Sequence, residues 1–164
     1  MNVRSPEPTE IPQLARVWYD AWRDAHAQLL PAELVRLRTF ESFRDRLATD
    51  LPRVRVVGPP GSPVGLCTIK ESELYQLFVA ASARGTGAAL ALVADAERRL
   101  AEAGVETAWL SCAIGNDRAM RFYEKCGWIR VGRMVSDLET TEGTFPLESW
   151  RYEKVLSPGP GPVP

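Results

Sequence analysis

The chain begins with an apolar stripe at helical spacing. Ile11, Leu14, Val17/Trp18, Ala21/Trp22 and Ala25 recur three and four residues apart, on one face of a helix. Thr9 is the expected cap, and Pro12 is tolerated in the first turn. Leu30-Pro31 interrupts, because a residue before proline avoids the helical region. Two shorter helices are expected at residues 32–38 and 40–47, the second with Phe40, Phe43 and Leu47 on one side. The texture changes at Arg53. RVRVV alternates, GPPGSP is a turn cluster, and VGLCTIK and, after a turn at Glu71-Ser72, ELYQLFV are two further apolar runs. Short loops between the three runs predict an antiparallel meander. A long helix follows, with Leu90, Val93, Ala96/Glu97 and Leu100 on its buried stripe. Asp95, Arg98, Arg99 and Glu102 are expected to face water, and Gly104 to end the helix. VETAWLSC then reads as a strand, residues 118–126 as a helix closed by Gly127, and WIRVGRMV as a strand. Residues 136–146 read as a polar loop and LESWRYEKVL as the last strand.

The strand–helix–strand segment over residues 73–112 predicts a right-handed parallel crossover. The sheet is therefore mixed, antiparallel early with a parallel pair at its centre, and helices cover both faces. This is an α+β, or mixed α/β, architecture. Residues 157–164 (SPGPGPVP) read as a flexible tail, which leaves residues 1–156 as one domain.

Composition narrows the function more than the fold. The 164 residues are 45% hydrophobic and 25% charged, ordinary for a single globular domain. Twenty Lys and Arg against 21 Asp and Glu give a net charge of −1, so no basic excess awaits a phosphate backbone. Nucleic acid is not an expected partner. The N-terminus MNVRSPEPTE has no signal-like apolar core, and the apolar run from Ala88 to Ala94 stops at Asp95. A soluble, cytoplasmic chain with no membrane partner is expected. Cys67, Cys112 and Cys126 lack metal-ligand spacing, and His26 is the one histidine, so no metal site is expected. A Ser-His-Asp or Cys-His nucleophile would have to use His26 as its base.

Two segments carry chemistry. In LFVAASARGTGAALALVADAE, a strand end leads through Arg84-Gly85-Thr86-Gly87-Ala88 into a helix. A helix N-terminus exposes unsatisfied N–H groups and partial positive charge, and glycine lets a bulky anion approach the backbone. Leu90 stands where a dinucleotide fingerprint would have its third glycine, and the Lys-Ser/Thr ending of a Walker loop is missing. A pyrophosphate remains the fitting ligand. In GNDRAMRFYEKCGW, Asn116 or Asp117 caps a helix on which Ala119, Phe122, Tyr123 and Cys126 share a face.

In this order and at this separation, the two segments resemble the GNAT family of acyl-CoA-dependent N-acetyltransferases, with similarity from about Val54 to Leu156. The family loop Gln/Arg-x-x-Gly-x-Gly/Ala is matched by Gly85 and Gly87, with Ser82 at the Gln/Arg position. That substitution shortens or removes one pyrophosphate contact. The second motif is matched by Asn116, Ala119, Phe122, Tyr123, Glu124, Gly127 and Trp128. The resemblance implies a V-shaped gap between two central parallel strands. In it, acetyl-CoA pairs its pantetheine arm with the backbone of Leu77, Phe78 and Val79. Its pyrophosphate would rest on N–H groups of Arg84, Gly85, Thr86, Gly87, Ala88 and Ala89, and Asn116, Ala119 and Phe122 would hold the arm from the other side. The family leaves monomer and homodimer both open.

The implied activity is transfer of an acetyl group from acetyl-CoA to an amine of a small molecule or peptide in a ternary complex. An alkylamine arrives protonated at neutral pH and needs a base. Glu73, at the start of the strand leading to Val79, is the candidate. A backbone N–H of Phe78 or Val79 is the candidate for the developing negative charge. Tyr123 is the candidate acid for the departing thiolate. Cys112 and Cys126 have no activating base close in sequence, so direct attack is expected. For the acceptor, the first interhelix region offers Trp22, His26, Gln28 and Leu29, while the later loop offers Asp137, Glu139 and Glu142 as an acidic rim that would attract a cationic amine. Trp150 and Tyr152 are assigned to the core. The alternative is a non-catalytic acyl-CoA-binding or sensing protein of the same fold.

Overall fold

The computed structural model describes residues 1–156; the Pro/Gly-rich segment read above as a tail, residues 157–164, lies outside them. Seven strands and five helices appear in the order β1 (Val3–Arg4), α1 (Ile11–His26), α2 (Ala32–Leu37), α3 (Phe40–Asp50), β2 (Val54–Val57), β3 (Gly65–Lys70), β4 (Glu73–Val79), α4 (Ala88–Glu102), β5 (Thr107–Ala113), α5 (Asp117–Lys125), β6 (Ile129–Thr140) and β7 (Gly143–Val155). The strands form one mixed sheet in the order β1-β2-β3-β4-β5-β7-β6. Every neighbouring pair is antiparallel except β4 and β5.

Alternation along the strands divides the apolar residues between two cores. Val54, Val56 and Leu66 face α1 and α3, where they meet Leu14, Trp18 and Phe43. Cys67, Leu110 and Cys112 face the other way, toward Leu92 and Leu100 of α4 and Tyr123 of α5. The mixed architecture with helices on both faces is as the strand pattern predicts.

Some expectations change. Leu90 is 58% exposed, and the buried stripe of α4 is set by Ala88, Leu92, Val93, Ala96 and Leu100 instead. Asp95, expected in water, is buried because Arg98 (2.7 Å), Arg99 (2.8 Å) and Arg55 of β2 (3.7 Å) surround its carboxylate. The polar stretch 136–146 is not a loop. It completes a long hairpin in which Ser136 pairs with Leu147 and Thr140 with Gly143. Pro146 is tolerated there because β5 ends opposite Ser149, so that part of β7 has a neighbour on one side only.

The start of the chain is pinned by one buried acid. Thr9 does not cap α1; it lies in a 3-10 turn over Pro8–Glu10, where Glu10 accepts the Glu7 N–H at 2.8 Å. Glu10 is 1% exposed, takes a bidentate contact from Arg4 (2.8 and 2.9 Å) and accepts the Gly61 N–H at 3.1 Å. It thus ties β1, the head of α1 and the β2–β3 connection together. The Arg4 contact holds its pKa down at about 2. The folded carboxyl is more acidic than the unfolded one, so its stabilisation is complete above about pH 4.5 and is lost as pH falls toward 2. Removing one partner of a buried pair costs roughly 3–5 kcal/mol. Glu10→Gln should lower stability by about that amount at pH 7 in denaturant melts, with the deficit shrinking as pH drops below 4.

Candidate active site

The site grows from a failure of strand pairing. β4 and β5 meet at one register position, Glu73 opposite Trp109, reinforced by the Trp109 N–H donating to the Ser72 carbonyl at 3.1 Å. Beyond it they diverge. The cause lies two residues along β4: β3 pairs Thr68 with Gln76 but Ile69 with Leu74, so Tyr75 is an extra residue in β4. Such a bulge bends its strand and raises its twist. It also switches the side-chain phase, since Leu74 belongs to the α4 core whereas Phe78 packs on the α1 core.

Backbone groups are left over in the gap. The Ala80 N–H donates to the Val64 carbonyl at 2.8 Å, which puts the N–H and C=O of Ala80 and Phe78 on the β3 side. Those of Leu77 and Val79 consequently point into the gap. Phe78 is corrected accordingly: its peptide groups are spent within the sheet, and its ring lines the cleft.

Two cavities flank the divergence. The first, about 390 Å³, lies between the end of α1, strands β4 and β5 and the β6–β7 hairpin. The second, about 410 Å³, lies between α1, the 83–90 loop and α5. They share Leu77, Phe78, Asn116, Ala119 and Tyr123. Tyr123 therefore stands at their junction, buried, with its hydroxyl free of any hydrogen bond among the described residues. Burial, with smaller contributions from the three cysteines, raises its pKa, so the phenol stays protonated. Asn116 caps α5 by accepting the Ala119 N–H at 3.3 Å and lines both spaces.

Around the second cavity the 84–89 loop divides its labour. The N–H groups of Arg84 and Thr86 are used locally, on the carbonyls of Ala81 and Ala83. Those of Gly85, Gly87, Ala88, Ala89 and Leu90 have no backbone acceptor among the described residues. Gly85 (φ +77°) and Gly87 (φ +88°) need the left-handed region, and a Cβ on either would project into open space, where an anion would otherwise approach. Thr86 is corrected: its hydroxyl bonds the Ala83 carbonyl and its side chain lines a separate cavity with Ser82. Arg84 lines the second cavity, but its guanidinium is paired with Asp24 of α1, which Arg118 also approaches at 3.5 Å. Phe122 lines the same space, as do Ala21 and Ala25, a small-residue pair one helical turn apart on α1.

The first cavity holds the polar groups. Glu73 lies on its wall, and burial drives its pKa up to about 7 against the opposing pull of Lys70 and Arg151. His26 donates its Nδ1–H to the Trp22 carbonyl (3.1 Å), packs against the Trp22 ring at a tilt of 50° and is held neutral, its pKa lowered to about 4 by burial and by Arg38. Trp22 and His26 both line the cavity, whereas Gln28 and Leu29 are exposed and do not. Asp137 and Glu139 sit at the cavity edge on exposed positions of β6, and Glu142 is taken by Arg36 at 2.8 Å. Three hydroxyls unforeseen in the sequence, Ser111, Ser136 and Ser149, form a triangle of 2.7–3.0 Å on the wall. They come from three strands, and no sequence spacing could have grouped them. Cys112 lines this cavity as a protonated thiol, its pKa raised by burial to about 12. Tyr152 is core, donating to Glu124 at 2.6 Å, and Trp150 packs beneath Arg130 and Arg133, outside both cavities.

Among the described residues no helix is long and apolar enough to cross a membrane, and no group of three or more His, Cys, Asp or Glu is placed to hold a metal. The structure is similar to a GCN5-related N-acetyltransferase from Rhodopseudomonas palustris, at TM-score 0.72 and 17% identity over 94% of this chain and 95% of that one. It is similar to PaiA N-acetyltransferase from Thermoplasma acidophilum in complex with coenzyme A, at 0.70 and 17% over 94% and 98%. YncA from Salmonella typhimurium, solved with its cofactor acetyl-CoA, aligns at 0.71 and 14% over 99% and 98%. At such identities these likenesses concern the fold. No curated protein matches the sequence. Residues 14–128 match the model of the Acetyltransferase (GNAT) family. With most of its length inside that match and the family's fold around the split strands, the chain belongs to the GNAT acetyltransferases and is an acyltransferase.

Proposed function

We propose that the chain is an N-acetyltransferase that moves an acetyl group from acetyl-CoA to a primary amine by direct attack in a ternary complex. The observation that carries this reading is the meeting of two cavities at Tyr123, with a half-buried carboxyl on the wall of one and unanswered N–H groups at the far end of the other. Neighbours of the same fold whose structures hold coenzyme A or acetyl-CoA support the choice of co-substrate.

Acetyl-CoA bound in the second cavity supplies a thioester-activated acyl group. The gap-facing peptide groups of Leu77 and Val79 would hold its arm as an added strand. The free N–H groups of Gly85, Gly87, Ala88, Ala89 and Leu90 would take the pyrophosphate at the α4 N-terminus. Asn116, Ala119 and Phe122 would close the opposite side. The Val79 N–H, rather than that of Phe78, would face the carbonyl oxygen as charge develops.

Glu73 would take the proton that keeps an ammonium from attacking. With its pKa near 7 the carboxylate is available at neutral pH and still basic enough to accept, which is where general-base catalysis works best. With the first proton already on Glu73, formation of the C–N bond and breaking of the C–S bond release a second proton from nitrogen while sulfur gains one. Tyr123 would give its proton to the sulfur and be restored by the one released from nitrogen, so the net products are the amide, the free thiol and a proton on Glu73. The raised pKa of Tyr123 alone would make it a reluctant donor, but the same water-poor wall penalises a thiolate, as the Cys112 thiol at about 12 illustrates, so the transfer remains accessible. Cys112 itself, protonated and buried, is unsuited to act as a nucleophile, which supports direct attack over an acylated enzyme.

Two outcomes test this in steady-state assays of thiol release. Tyr123→Phe should lower kcat by roughly 10²–10⁴-fold with little change in the KM for acetyl-CoA; a loss below about threefold would reduce the residue to packing. In the native enzyme kcat/KM should rise with pH through about 7 as Glu73 ionises, and Glu73→Gln should abolish that limb, leaving a rise that continues toward the amine's own pKa, about 10. Tight acetyl-CoA binding by calorimetry with no thiol release across a broad amine panel would favour a sensor instead.

A further inference from the structure

The first cavity contains cations for which acyl transfer, as proposed, has no use. Arg38 directly follows α2 and is 4% exposed. Its Nη1 donates to the Glu139 carbonyl at 2.7 Å, tying α2 to β6. Nε is sealed from solvent without an acceptor, and Nη2 has no acceptor among the described residues. A guanidinium carries five N–H donors in a planar fork, so most of them are unanswered. Other buried polar atoms here, on Trp18, Arg55, Thr68, Arg99 and Trp128, also lack partners, but of these residues Arg38 is the one that lines a cavity, where something else can supply the acceptors.

The neighbouring charges deepen the deficit. Arg46 of α3 lines the same cavity, with its guanidinium carbon 4.6 Å from the Trp18 ring centre. Lys70 lines it too, 5.4 Å from the Tyr75 ring centre. None of the three cations forms an ion pair with a described carboxylate. Burial, and then the like charge of Arg46, lowers the Arg38 pKa to about 10; Tyr75 and the more distant Glu139 carboxylate offset this only in part. His26 cannot help, being neutral. Two guanidinium groups thus share a water-poor wall with no anion between them. By contrast, the buried carboxylates Glu10 and Asp95 each have arginine partners within hydrogen-bond distance.

We propose that the amine acceptor carries its own carboxylate, which Arg38 and Arg46 hold while the amino group faces Glu73. The inference rests on the acyl-transfer reading above and narrows its substrate class to amino-acid-like molecules. The unspent N–H groups of Arg38 offer a two-donor edge matched to a carboxylate. Asp137, Glu139 and Glu73 border the same cavity, which disfavours a dianionic phosphate there. The three-serine triangle adds acceptor lone pairs that suit an ammonium rather than a second anion.

The test compares matched compounds in thiol-release assays with acetyl-CoA: free α-amino acids, the same molecules as carboxamides, and O-phosphoethanolamine. The preferred amino acid should exceed its carboxamide by about tenfold or more in kcat/KM, the worth of one charge-assisted hydrogen bond. Arg38→Gln should raise KM for the carboxylate substrate about tenfold, far more than it lowers kcat, and Arg38→Lys should recover part of the loss. Arg46→Gln, at a less buried position, should act in the same direction and serves if Arg38 variants do not fold. Equal rates for carboxylate and carboxamide, preference for the phosphorylated amine, or equal losses on both members of a pair in Arg38→Gln would overturn the proposal. A parallel thermal-shift series in the presence of coenzyme A separates the two readings. Stabilisation by carboxylates but not carboxamides, without turnover of any amine, would sink acyl transfer and keep the anion subsite. Turnover without discrimination would do the reverse, and failure of both would remove both.

Discussion

One hydrogen-bonded position, Glu73 against Trp109, is all that joins the two parallel strands at the centre of the sheet, and the chemistry depends on its being alone. Had the ladder continued, the peptide groups of Leu77 and Val79 would be satisfied by β5 and no gap would exist. The extra residue at Tyr75 prevents it by bending β4 and by exchanging which of its side chains face each core. The sheet survives the interruption because its other pairings are extensive, with β3 and β7 buttressing the two halves. Pairing lost at the centre leaves backbone donors and acceptors that a ligand can complete.

Desolvation then sets the character of each group around the gap. It pushes the Glu73 carboxyl up to about 7, keeps the Cys112 thiol and the Tyr123 phenol protonated, and strips His26 of its charge. The same apolar wall thus produces a base, an acid and an inert thiol from side chains whose free pKa values would assign them differently. Charges in the rest of the molecule follow another logic. Glu10 and Asp95 are buried with arginine partners and serve the fold, whereas Arg38, Arg46 and Glu73 line a cavity without ion pairs. Charge left uncompensated at a concave surface distinguishes a place for a ligand from a structural clamp.

The legible parts of the sequence were those governed by local rules. Helical and strand periodicity placed α1, β4, β5 and α5 within a residue or two, because each is short-range and amphipathic. The glycine loop and the Asn116–Trp128 segment announced the cofactor side, since phosphate-binding loops need glycine and a helix start at fixed spacing. Errors arose where distant residues intervened. Asp95 looked solvent-facing until Arg55, far away in sequence, came to lie beside it. The 136–146 stretch looked like a loop because its polar residues and Pro146 lie on a strand with partners on one side only. Leu90 looked buried on a stripe that would suit the helix equally well rotated by one position.

By itself, then, the amino-acid order determined the layered mixed fold, the anion-ready helix start and the tyrosine that follows Phe122. Those depend on spacing of 3.6 or 2 residues and on glycine's freedom at positive φ, which are properties of adjacent residues. The resemblance implied a gap between the central strands, but tertiary structure decided that β4 and β5 part after a single contact and that Tyr123 stands where two cavities meet. It also brought Arg38 and Arg46 to the wall that carries Glu73. Those facts concern desolvation and charge between residues dozens of positions apart, and only the folded chain brings such groups into one low-dielectric space.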